Sequence, residues 1–354
     1  MRAVTLDARV VARGIDAHLD VAPGRVVALV GPNGSGKSSI LQLVGGQLRP
    51  DGGTITLDGT LVGGPGVHVP VHRRRIAVLE QHPLLFEHLT VLENAAFGLR
   101  ARGVRAAEAR ARAQRELDAV GCGELAPARA WEVSGGQAQR IAIARALATD
   151  PRLVLLDEPL AALDVSVAPA IRSLLRRRIR DEGRTALLVT HDAVDALALA
   201  DDLAVVEAGH VVAVGPVADL LARPRTPFVA DLVGVNLLAG TASGDDALTL
   251  PTGQRVVGVA DGPLTAGREA IASFAPAAVA VHTSDPSGSP RNHLRATVTG
   301  VEPRGALVRL SAELGDGSPV AADLTLAASV DEGLVPGCPV WLVVKAAQVA
   351  LYPR

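Results

Sequence analysis

The chain has 354 residues, 48% of them hydrophobic and 20% charged, a composition that excludes a disordered or fibrous protein. Its 35 lysines and arginines nearly balance its 37 aspartates and glutamates, so no basic field favours nucleic acid as a partner. No apolar run approaches the roughly 18 residues that span a bilayer, and the amino terminus lacks a signal-peptide pattern. We therefore expect a globular protein that cannot cross a membrane alone.

The first two thirds of the chain alternate short apolar strands with longer helical patterns, which predicts an α/β fold with a largely parallel sheet. Strands are expected at Val26–Val30, Ile76–Leu79, Leu153–Leu156 and Thr185–Val189, because these runs are apolar throughout, as in strands buried on both faces. Between the second and third strands lies too much helical pattern for one crossover. It predicts an inserted helical subdomain over about residues 83–150.

The composition changes near residue 235, where helical periodicity gives way to short bursts of Val and Thr between turns. This part predicts an all-β barrel or sandwich, with the boundary between residues 234 and 235. Its clearest predicted strands are Leu294–Val301, Ala306–Ala312, Val320–Leu326 and Val340–Leu351. A Ser- and Pro-rich segment at 283–290 divides it into two parts of similar texture, which leaves an internal duplication open.

A phosphate-binding loop follows the first predicted strand and precedes a helical pattern, the context that the motif G-x-x-x-x-G-K-[ST] requires. Its residues are Gly31, Pro32, Asn33, Gly34, Ser35, Gly36, Lys37 and Ser38. Glycines let backbone N–H groups turn toward phosphate oxygens, and the helix amino terminus adds its positive dipole end. We expect Lys37 to reach the β- and γ-phosphates and the Ser38 hydroxyl to ligate Mg²⁺.

Two further motifs narrow the choice among nucleotide-binding proteins. The strand before Asp157 and Glu158 ends in two acids, so Asp157 is expected to hold Mg²⁺ and Glu158 to accept a proton from the attacking water. Ser134, Gly135, Gly136 and Gln137 open the last helical pattern of the insertion. That arrangement offers backbone donors to an anion, although four such residues alone also make an ordinary helix cap.

The order of these motifs resembles the ATP-binding subunit of an ABC transporter over about residues 1–232. The resemblance implies a P-loop NTPase fold with a RecA-like sheet, and ATP and Mg²⁺ as ligands. It implies that Gln81 reaches Mg²⁺ and the attacking water, and that Ser39 belongs to the phosphate loop. Ser134–Gln137 would contact the ATP of a second subunit, Asp164 would link the two sites, and His191 would contact the γ-phosphate.

The sequence departs from this family at the residue that contacts the adenine base. The family stacks adenine on an aromatic residue near the amino terminus, whereas the first aromatic residue of this chain is Phe86. An aliphatic or Arg contact from Val10–Ile15 is expected to replace it. If the energies of base–aromatic stacking in single-stranded nucleic acid complexes apply here, the absence of the aromatic residue weakens nucleotide binding by about 1–3 kcal/mol.

The last part of the chain resembles the OB-like transport-associated domain (TOBE) of importer ATPases, in its molybdate-binding form. Ser289, Arg291 and Asn292 lie just before a predicted strand, and Lys345 lies within the predicted strand Val340–Leu351 near the end of the chain. Hydroxyl, amide and cationic donors of this kind suit a compact tetrahedral dianion. The same residues also suit an ordinary turn between strands and a solvated lysine, so the oxyanion site is an expectation that the pattern alone leaves open.

These resemblances imply the ATP-hydrolysing subunit of an importer for a small oxyanion, with molybdate favoured. Sulfate, polyamine, iron or sugar importers are alternatives, and a soluble ABC ATPase without a transport role is a further one. The expected partners are a second copy, integral-membrane permease subunits and a solute-binding protein, with no nucleic acid. The two cysteines, Cys122 and Cys338, lack metal spacing and fit a reducing compartment, so the expected location is the cytoplasmic face of the membrane.

Overall fold

The computed structural model describes residues 2–286, 289–331 and 333–354. The chain divides into two compact units, one ending at Asp219 and the other beginning at Leu220. The predicted domain boundary at 234/235 stays a prediction. Helix α8, Pro227–Val233, precedes that boundary, yet it makes its contacts with the first strand of the second unit.

The first unit is built on a six-stranded, mostly parallel sheet. Its strands in chain order are β3 (Val26–Val30), β7 (Ala77–Leu79), β8 (Leu153–Asp157), β9 (Thr185–Val189), β10 (Asp202–Glu207) and β11 (His210–Pro216). Their spatial order is β11-β10-β3-β9-β8-β7, and only the β10–β11 pair is antiparallel. The carboxyl ends of β3, β9, β8 and β7 therefore meet at one edge of the sheet.

A second, antiparallel sheet in this unit was not predicted. It contains β1 (Val4–Val10), β2 (Ile15–Val21), β4 (Gly52–Leu57), β5 (Thr60–Gly64) and β6 (Val67–His68), in the spatial order β2-β1-β4-β5-β6. Strands β1 and β2 alternate buried and exposed residues, so each covers the core with one face only. The buried faces of both sheets contribute to one hydrophobic core that also includes helix α1, Lys37–Gly45.

The predicted helical insertion consists of α2 (Val91–Ala101), α3 (Ala106–Ala119) and α4 (Gly135–Ala148). Buried residues such as Ala109, Ala113 and Leu117 recur on one face of α3, while its other face is polar. The unit is completed by α5 (Ala168–Leu175), which continues as a π-helical turn, by α6 (Ala193–Leu199) and by the first residues of α7 (Val217–Ala222).

The second unit is mostly β, and its helices are the end of α7, α8, α9 (Leu326–Asp331) and short helical turns. The strands of one sheet are β12 (Asn236–Ala242), β13 (Ala247–Thr249), β14 (Arg255–Val257), β15 (Val259–Ala260), β16 (Glu269–Phe274) and β22 (Ala350–Pro353). Those of the other are β17 (Val279–His282), β18 (Asn292–Arg304), β19 (Leu307–Leu314), β20 (Pro319–Thr325) and β21 (Pro339–Val344). The spatial orders are β14-β13-β12-β16-β22-β15 and β17-β21-β18-β19-β20, and a single apolar core lies between the sheets.

The predicted single strand Val340–Leu351 is wrong. A 3₁₀ turn at Ala346–Gln348 separates β21 from β22, and the two strands lie in different sheets. The same crossing occurs earlier, where a 3₁₀ turn at Pro276–Ala278 carries the chain from β16 to β17. The last strand of each half therefore lies in the sheet that the other half forms.

Two asparagines show the internal duplication directly. Asn236 begins the first half, and its side chain donates to Ala321 O at 2.9 Å and accepts from Ala321 N at 2.7 Å. Asn292 begins the second half and makes the same pair of bonds with Val257, at 2.9 and 2.6 Å. Each asparagine is buried and binds a strand of the opposite half. Each half therefore binds the other through an equivalent pair of hydrogen bonds, which indicates approximate two-fold symmetry between the halves.

Candidate functional site

The phosphate loop connects β3 to α1 at the carboxyl edge of the parallel sheet. Gly31 has a φ of 154°, and a Cβ built there would lie 2.0 Å from Val206 O, so only glycine fits. Gly36 has a φ of 105°, and a Cβ there would lie 2.4 Å from Ile15 Cδ1. The loop is thus packed between strand β10 and the start of β2, while Pro32, Asn33 and Gly34 stay exposed.

Lys37 is 9% exposed, and its ammonium group turns back onto the loop. Nζ donates to Gly31 O and Pro32 O, both at 2.8 Å. Burial lowers the pKa of Lys37, while the carboxylates of Glu158 and Asp157 oppose that shift. Among the described residues, the ammonium group has two carbonyl partners and forms no ion pair with a carboxylate.

The buried hydroxyl of Ser35 adds a second indication that this loop holds a ligand. Ser35 is 5% exposed, and its Oγ has no hydrogen-bond partner in the part of the chain that the structure describes. Buried polar groups are almost always satisfied, so an orphan hydroxyl beside a buried ammonium group fits a loop shaped for phosphate oxygens. The residues present therefore suit a nucleotide.

Ser38 and Asp157 form the pair that suits Mg²⁺. Asp157 ends β8 and accepts a hydrogen bond from the Ser38 hydroxyl at the start of α1. Burial raises the pKa of Asp157, and the Ser38 bond opposes that shift. A hydroxyl and a partly buried carboxylate are the hard oxygen donors that Mg²⁺ takes beside phosphate.

Gln81, Glu158 and His191 come together although they are far apart in sequence. Gln81 Nε2 donates to Glu158 Oε2 at 3.4 Å, and His191 Nδ1 lies 3.4 Å from Glu158 Oε1. The three residues follow β7, β8 and β9, which are neighbours in the sheet. Glu158 has a φ of 48°, a left-handed conformation that is strained for a residue with a side chain.

Ser134–Gln137 form a regular helix cap at the start of α4. Ser134 Oγ accepts from Gln137 N at 3.3 Å, and Gln137 Oε1 accepts from Ser134 N at 2.8 Å, which is a capping box. Ser134 and Gly135 are exposed. Within the described residues, no hydrogen bond joins this cap to the phosphate loop of its own chain.

Asp164 lies in the turn that follows β8, where its carbonyl accepts from Val167 N at 2.9 Å and Ala168 N at 3.0 Å. Asp164 is exposed, and the neighbouring Val165 is 91% exposed. This turn therefore presents a carboxylate and an apolar side chain outward, beside the cluster of Glu158 and His191.

Two residues that hold the segment after Gln81 were missed in the sequence. Arg145 on α4 donates to Pro83 O at 2.7 Å and to Leu84 O at 2.9 Å, and its guanidinium lies 5.6 Å from the ring centroid of Phe86. The buried Asn94 on α2 binds Phe86 N and Phe86 O at 2.7 and 3.0 Å. Nothing in the sequence distinguished Arg145 from the many other arginines of this region.

The turn between β1 and β2 carries Arg13, within the range predicted to replace the missing aromatic residue. Arg13 Nη1 donates to Ser39 Oγ at 3.1 Å and Gln42 Oε1 at 2.7 Å, both on α1. Its guanidinium has no acidic partner among the described residues. Val11 in the same turn is 67% exposed.

The four predicted oxyanion residues meet where β18 begins and β21 ends. Asn292 pairs with Val344 in the antiparallel register, which brings the exposed Arg291 and Lys345 to the same end of the strand pair. Ser289 is exposed in the loop before them. Asn292 differs from the other three, because it is 1% exposed and both polar atoms of its side chain bind Val257.

Two family models match the chain. One, described as ABC transporter, matches residues 15–161, and the other, described as TOBE domain, matches residues 288–351. Among solved structures, the chain is similar to a dimeric post-hydrolysis state of the ATP-binding cassette MJ0796 bound to ADP and Pi. That match has 28% identity and a TM-score of 0.54, and it covers 61% of this chain and 97% of the other.

Curated relatives match over the whole chain. The molybdenum import ATP-binding protein ModC of Mycobacterium tuberculosis is 44% identical, with 100% of this chain and 96% of the relative covered. The molybdate/tungstate import ATP-binding protein WtpC of Pyrococcus horikoshii is 32% identical, with 96% and 95% covered. The sulfate/thiosulfate import ATP-binding protein CysA of Thermosynechococcus vestitus is 43% identical, but over only 62% of this chain and 65% of the relative.

The search for membrane-spanning helices gave a negative result. Across residues 2–286, 289–331 and 333–354, no helix is both long and apolar enough to cross a bilayer.

Proposed function

Because the chain belongs to the ATP-binding subunits of ABC transporters, we propose that it hydrolyses ATP to power the import of molybdate. One observation carries the proposal: the hydrolytic cluster around Glu158 lies in a chain whose relatives of matching length are named for the import of molybdenum or of molybdate and tungstate. The sulfate/thiosulfate relatives cover from 62% to 86% of this chain, less than the 100% covered by the ModC match, which favours molybdate over sulfate as cargo.

The proposed mechanism starts from the phosphate loop. Lys37 exchanges its two carbonyl contacts for phosphate oxygens, and the backbone N–H groups of the loop bind the remaining charge. Ser38, Gln81 and Asp157 would hold Mg²⁺, which, when bound, neutralises phosphate charge. Glu158 accepts a proton from the attacking water, while His191 contacts the γ-phosphate.

A second copy is proposed to complete each site. Because the Ser134–Gln137 cap makes no hydrogen bond to its own phosphate loop among the described residues, and because Ser134 is exposed, it is free to meet the γ-phosphate held by a partner. Asp164 would contact that partner beside the same site. Loss of the γ-phosphate then removes the contact that joins the two copies, and the dimer opens.

Arg145 connects the opening of the dimer to the surface that is proposed to contact a permease. Its bonds fix the segment after Gln81 to α4, the helix that begins at the Ser134 cap. Beside that segment, Leu84 is 60% and Phe97 44% exposed. We assign these apolar side chains to the contact with an integral-membrane permease subunit, which would hold the chain at the cytoplasmic face and receive cargo from a solute-binding protein.

The second unit is proposed to bind the oxyanion as a regulatory ligand. Ser289, Arg291 and Lys345 supply side-chain donors with charge assistance, as a dianion of the molybdate type requires. Asn292 fixes the start of β18, next to Arg291, through its two bonds to Val257. Its side chain therefore positions Arg291 and does not itself bind the anion.

Two measurements test the proposal on the full chain. Glu158→Gln should bind ATP as the wild type does and lose hydrolysis by about 10²- to 10⁴-fold, the contribution of a general base. Glu87→Gln, which changes an acid of the segment after Gln81, is the matched control. Wild-type turnover in Glu158→Gln would remove Glu158 from the reaction.

For the anion, calorimetric titration should give heat with molybdate and tungstate and weaker binding of sulfate. Arg291→Val and Lys345→Ala should each abolish the signal, while Arg304→Ala, an exposed cation at the other end of β18, should keep it. Equal molybdate binding in all three variants would refute this site, and tighter sulfate binding would refute the cargo.

A further inference from the structure

A cavity lies at the amino-terminal edge of the parallel sheet, the edge opposite the phosphate loop. The segments just before β3, β7, β8 and β9 line it, and its volume is about 940 Å³. Leu57 of β4 and Val62 of β5 also line this amino-edge cavity. Strands β8 and β9 have five residues each, so about 16 Å of strand separates the cavity from the carboxyl edge. It is therefore distinct from the nucleotide site.

The amino-edge cavity is cationic, although the whole chain has a net charge of −2. Six arginines and three acids line the cavity, which gives it a net charge of +3. Two of the acids already have a cationic partner, because Asp150 Oδ1 and Glu182 Oε2 each lie 2.8 Å from Arg184 Nη2. Asp58 is the only other acid in the lining, and it faces five further arginines: Arg73, Arg74, Arg75, Arg102 and Arg152.

Three of these arginines present guanidinium groups without a partner. Arg73, Arg75 and Arg152 are exposed, and their side chains make no hydrogen bond or ion pair among the described residues. Arg75 and Arg152 lie at neighbouring strand ends, because each stands two residues before the parallel pair Ala77 and Val154. Arg75 also has a φ of 54°, a left-handed conformation that is strained for a residue with a side chain. Like charges at neighbouring strand ends repel, and an anion bound between them would remove that repulsion.

Arg74 adds a buried positive charge to the same cavity. It is 7% exposed and has no carboxylate partner in the part of the chain that the structure describes. Its guanidinium donates at 2.7–3.0 Å to four carbonyl oxygens, those of Leu43, Val44, Val62 and Val69. Burial lowers the pKa of Arg74 to about 10, so it stays charged at neutral pH. Arg74 therefore makes the cavity more positive, while the three exposed arginines keep their donors for a ligand.

We propose that the amino-edge cavity binds a small soluble anion that carries several phosphate groups. A guanidinium group binds phosphate through two parallel hydrogen bonds, and three such groups are available here. The volume lies within the range of about 300–1,000 Å³ that is typical of ligand pockets, and it exceeds what a single tetrahedral anion fills. The cations converge on one cavity, which favours a compact ligand over an extended acidic peptide. This inference goes beyond the proposed function, because it requires neither ATP hydrolysis nor transport.

The test uses the full chain with its two other proposed anion sites removed by Lys37→Ala and Arg291→Val. Calorimetric titration of this background protein with inorganic tripolyphosphate should show one ion bound per chain. Adding Arg75→Gln and Arg152→Gln should weaken binding at least tenfold, because two charge-assisted contacts are lost. Adding Arg75→Lys and Arg152→Lys instead should retain more of the affinity, because the charge remains. Orthophosphate should bind more weakly than tripolyphosphate, since it reaches fewer of the arginines.

The matched control removes two arginines from the same unit outside the cavity. Arg110 and Arg177 are exposed and do not line it, so Arg110→Gln with Arg177→Gln should leave the affinity of the background protein unchanged. Thermal melts identify any loss of folding. Because Arg75 has a strained backbone, Arg73→Gln with Arg152→Gln repeats the test without changing that residue and should also weaken binding at least tenfold.

Three results would overturn the inference. One is the absence of tripolyphosphate binding to the background protein. Another is an equal loss of affinity in the control pair, which would indicate a general effect of surface charge. The third is binding of a short polyglutamate peptide without binding of tripolyphosphate, which would make the cavity a docking site for an acidic protein segment.

Discussion

Asp157, which is proposed to hold Mg²⁺, is partly buried in a position that disfavours its ionised form. Burial is the largest influence on its pKa and raises it, and the neighbouring Glu158 charge adds to that shift. The ionised carboxylate that a cation needs is therefore disfavoured in the free protein. Above the raised pKa, the folded state carries a charge that the unfolded state solvates better.

This gives a prediction with a definite sign. Because the folded-state pKa lies above the ordinary value of 3.8, the contribution of Asp157 to stability is present below 3.8 and is lost as pH rises through the raised pKa. At neutral pH, Asp157→Asn should therefore raise the melting temperature of the nucleotide-free protein, by about 2–4 °C for each kcal/mol removed.

The same variant should lose Mg²⁺-dependent hydrolysis. At pH values below the ordinary pKa, wild type and variant should melt at more similar temperatures. Asp181→Asn, in an exposed position, is the control and should leave the neutral-pH melting temperature unchanged. A lower melting temperature for Asp157→Asn at neutral pH would contradict this account of its burial.

Single residues differ in how well the sequence predicted them. Gly31–Ser38, Asp157 and Glu158 could be found because the chemistry depends on local order along the chain. Gln81 and His191 were assigned to the site through the family resemblance, and in the structure they follow strands that neighbour the strand of Glu158. Arg145, Asn94 and Asn236 could not be found, since their partners lie on other elements and any polar residue can form such bonds. Asn292 was singled out, but as an anion donor and not for its bonds to Val257.

Helix α4 is the element that joins two parts of the site. Its amino terminus is the Ser134 cap, and its last turns hold the segment after Gln81 through Arg145. Burial lowers the pKa of Arg145, and the guanidinium remains bound to two carbonyls. A displacement at the cap is therefore passed to this segment by a rigid helix.

We predict that Arg145→Ala releases the segment without emptying the nucleotide site. Hydrogen exchange at residues 83–90 should become faster by about tenfold or more, because two of the bonds that hold the segment are lost, while the ATP dissociation constant changes little. Arg140→Ala, another α4 arginine that binds carbonyls of Val120 and Gly121, is the matched control and should leave exchange at residues 83–90 unchanged. Unchanged exchange in Arg145→Ala would show that Asn94 alone holds the segment.

The duplicated halves of the second unit differ at the positions proposed to bind an anion. In the second half, Asn292 pairs with Val344, next to Arg291 and Lys345. In the first half, Asn236 pairs with Phe274 in the same way, next to Val235 and Ala275. The first half therefore keeps the buried asparagine but has no cations equivalent to Arg291 and Lys345.

The duplication predicts one anion per chain, and a second when the first half is given the same cations. Val235→Arg combined with Ala275→Lys should raise the calorimetric stoichiometry for molybdate from one to two per chain. The control, Val235→Leu with Ala275→Ser, should leave it at one. A wild-type stoichiometry of two would contradict the assignment of the site to Arg291 and Lys345.

At the scale of elements, four buried parallel strands, β3, β7, β8 and β9, were predicted within a residue or two because continuous apolar runs have few other uses. The fifth, β10, was missed although its central residues are also apolar and buried. Strands β1 and β2 were missed although their alternation was present in the sequence. The division of Val340–Leu351 between two sheets was missed for a different reason. Strand exchange depends on which half supplies a free sheet edge, and a run of apolar residues does not encode that.

The whole molecule is expected to act as a pair, since the Ser134 cap and the phosphate loop do not bond within one chain among the residues described. Ser134→Arg and Lys37→Ala should each be inactive alone. When mixed, they form heterodimers with one intact composite site and one site that carries both changes, so partial activity should return. Mixing Lys37→Ala with Glu158→Gln is the control, because both changes then fall on separate sites and no intact site forms.

Each variant carries a different tag, so that the fraction of heterodimer can be measured. ATP hydrolysis is then compared with that fraction. Activity that rises with heterodimer content supports a composite site. No recovery, with heterodimers demonstrated, would indicate that the cap and loop act within one chain or that both sites must work together.

The central claim, an ATPase that drives molybdate import, is tested most directly by transport. The full chain is purified with the membrane proteins that accompany it, reconstituted into proteoliposomes with its solute-binding protein, and supplied with ATP and radiolabelled molybdate. We predict ATP-dependent molybdate accumulation that is lost in Glu158→Gln and exceeds that of labelled sulfate. ATP hydrolysis without molybdate accumulation, or preferential accumulation of sulfate, would contradict the claim.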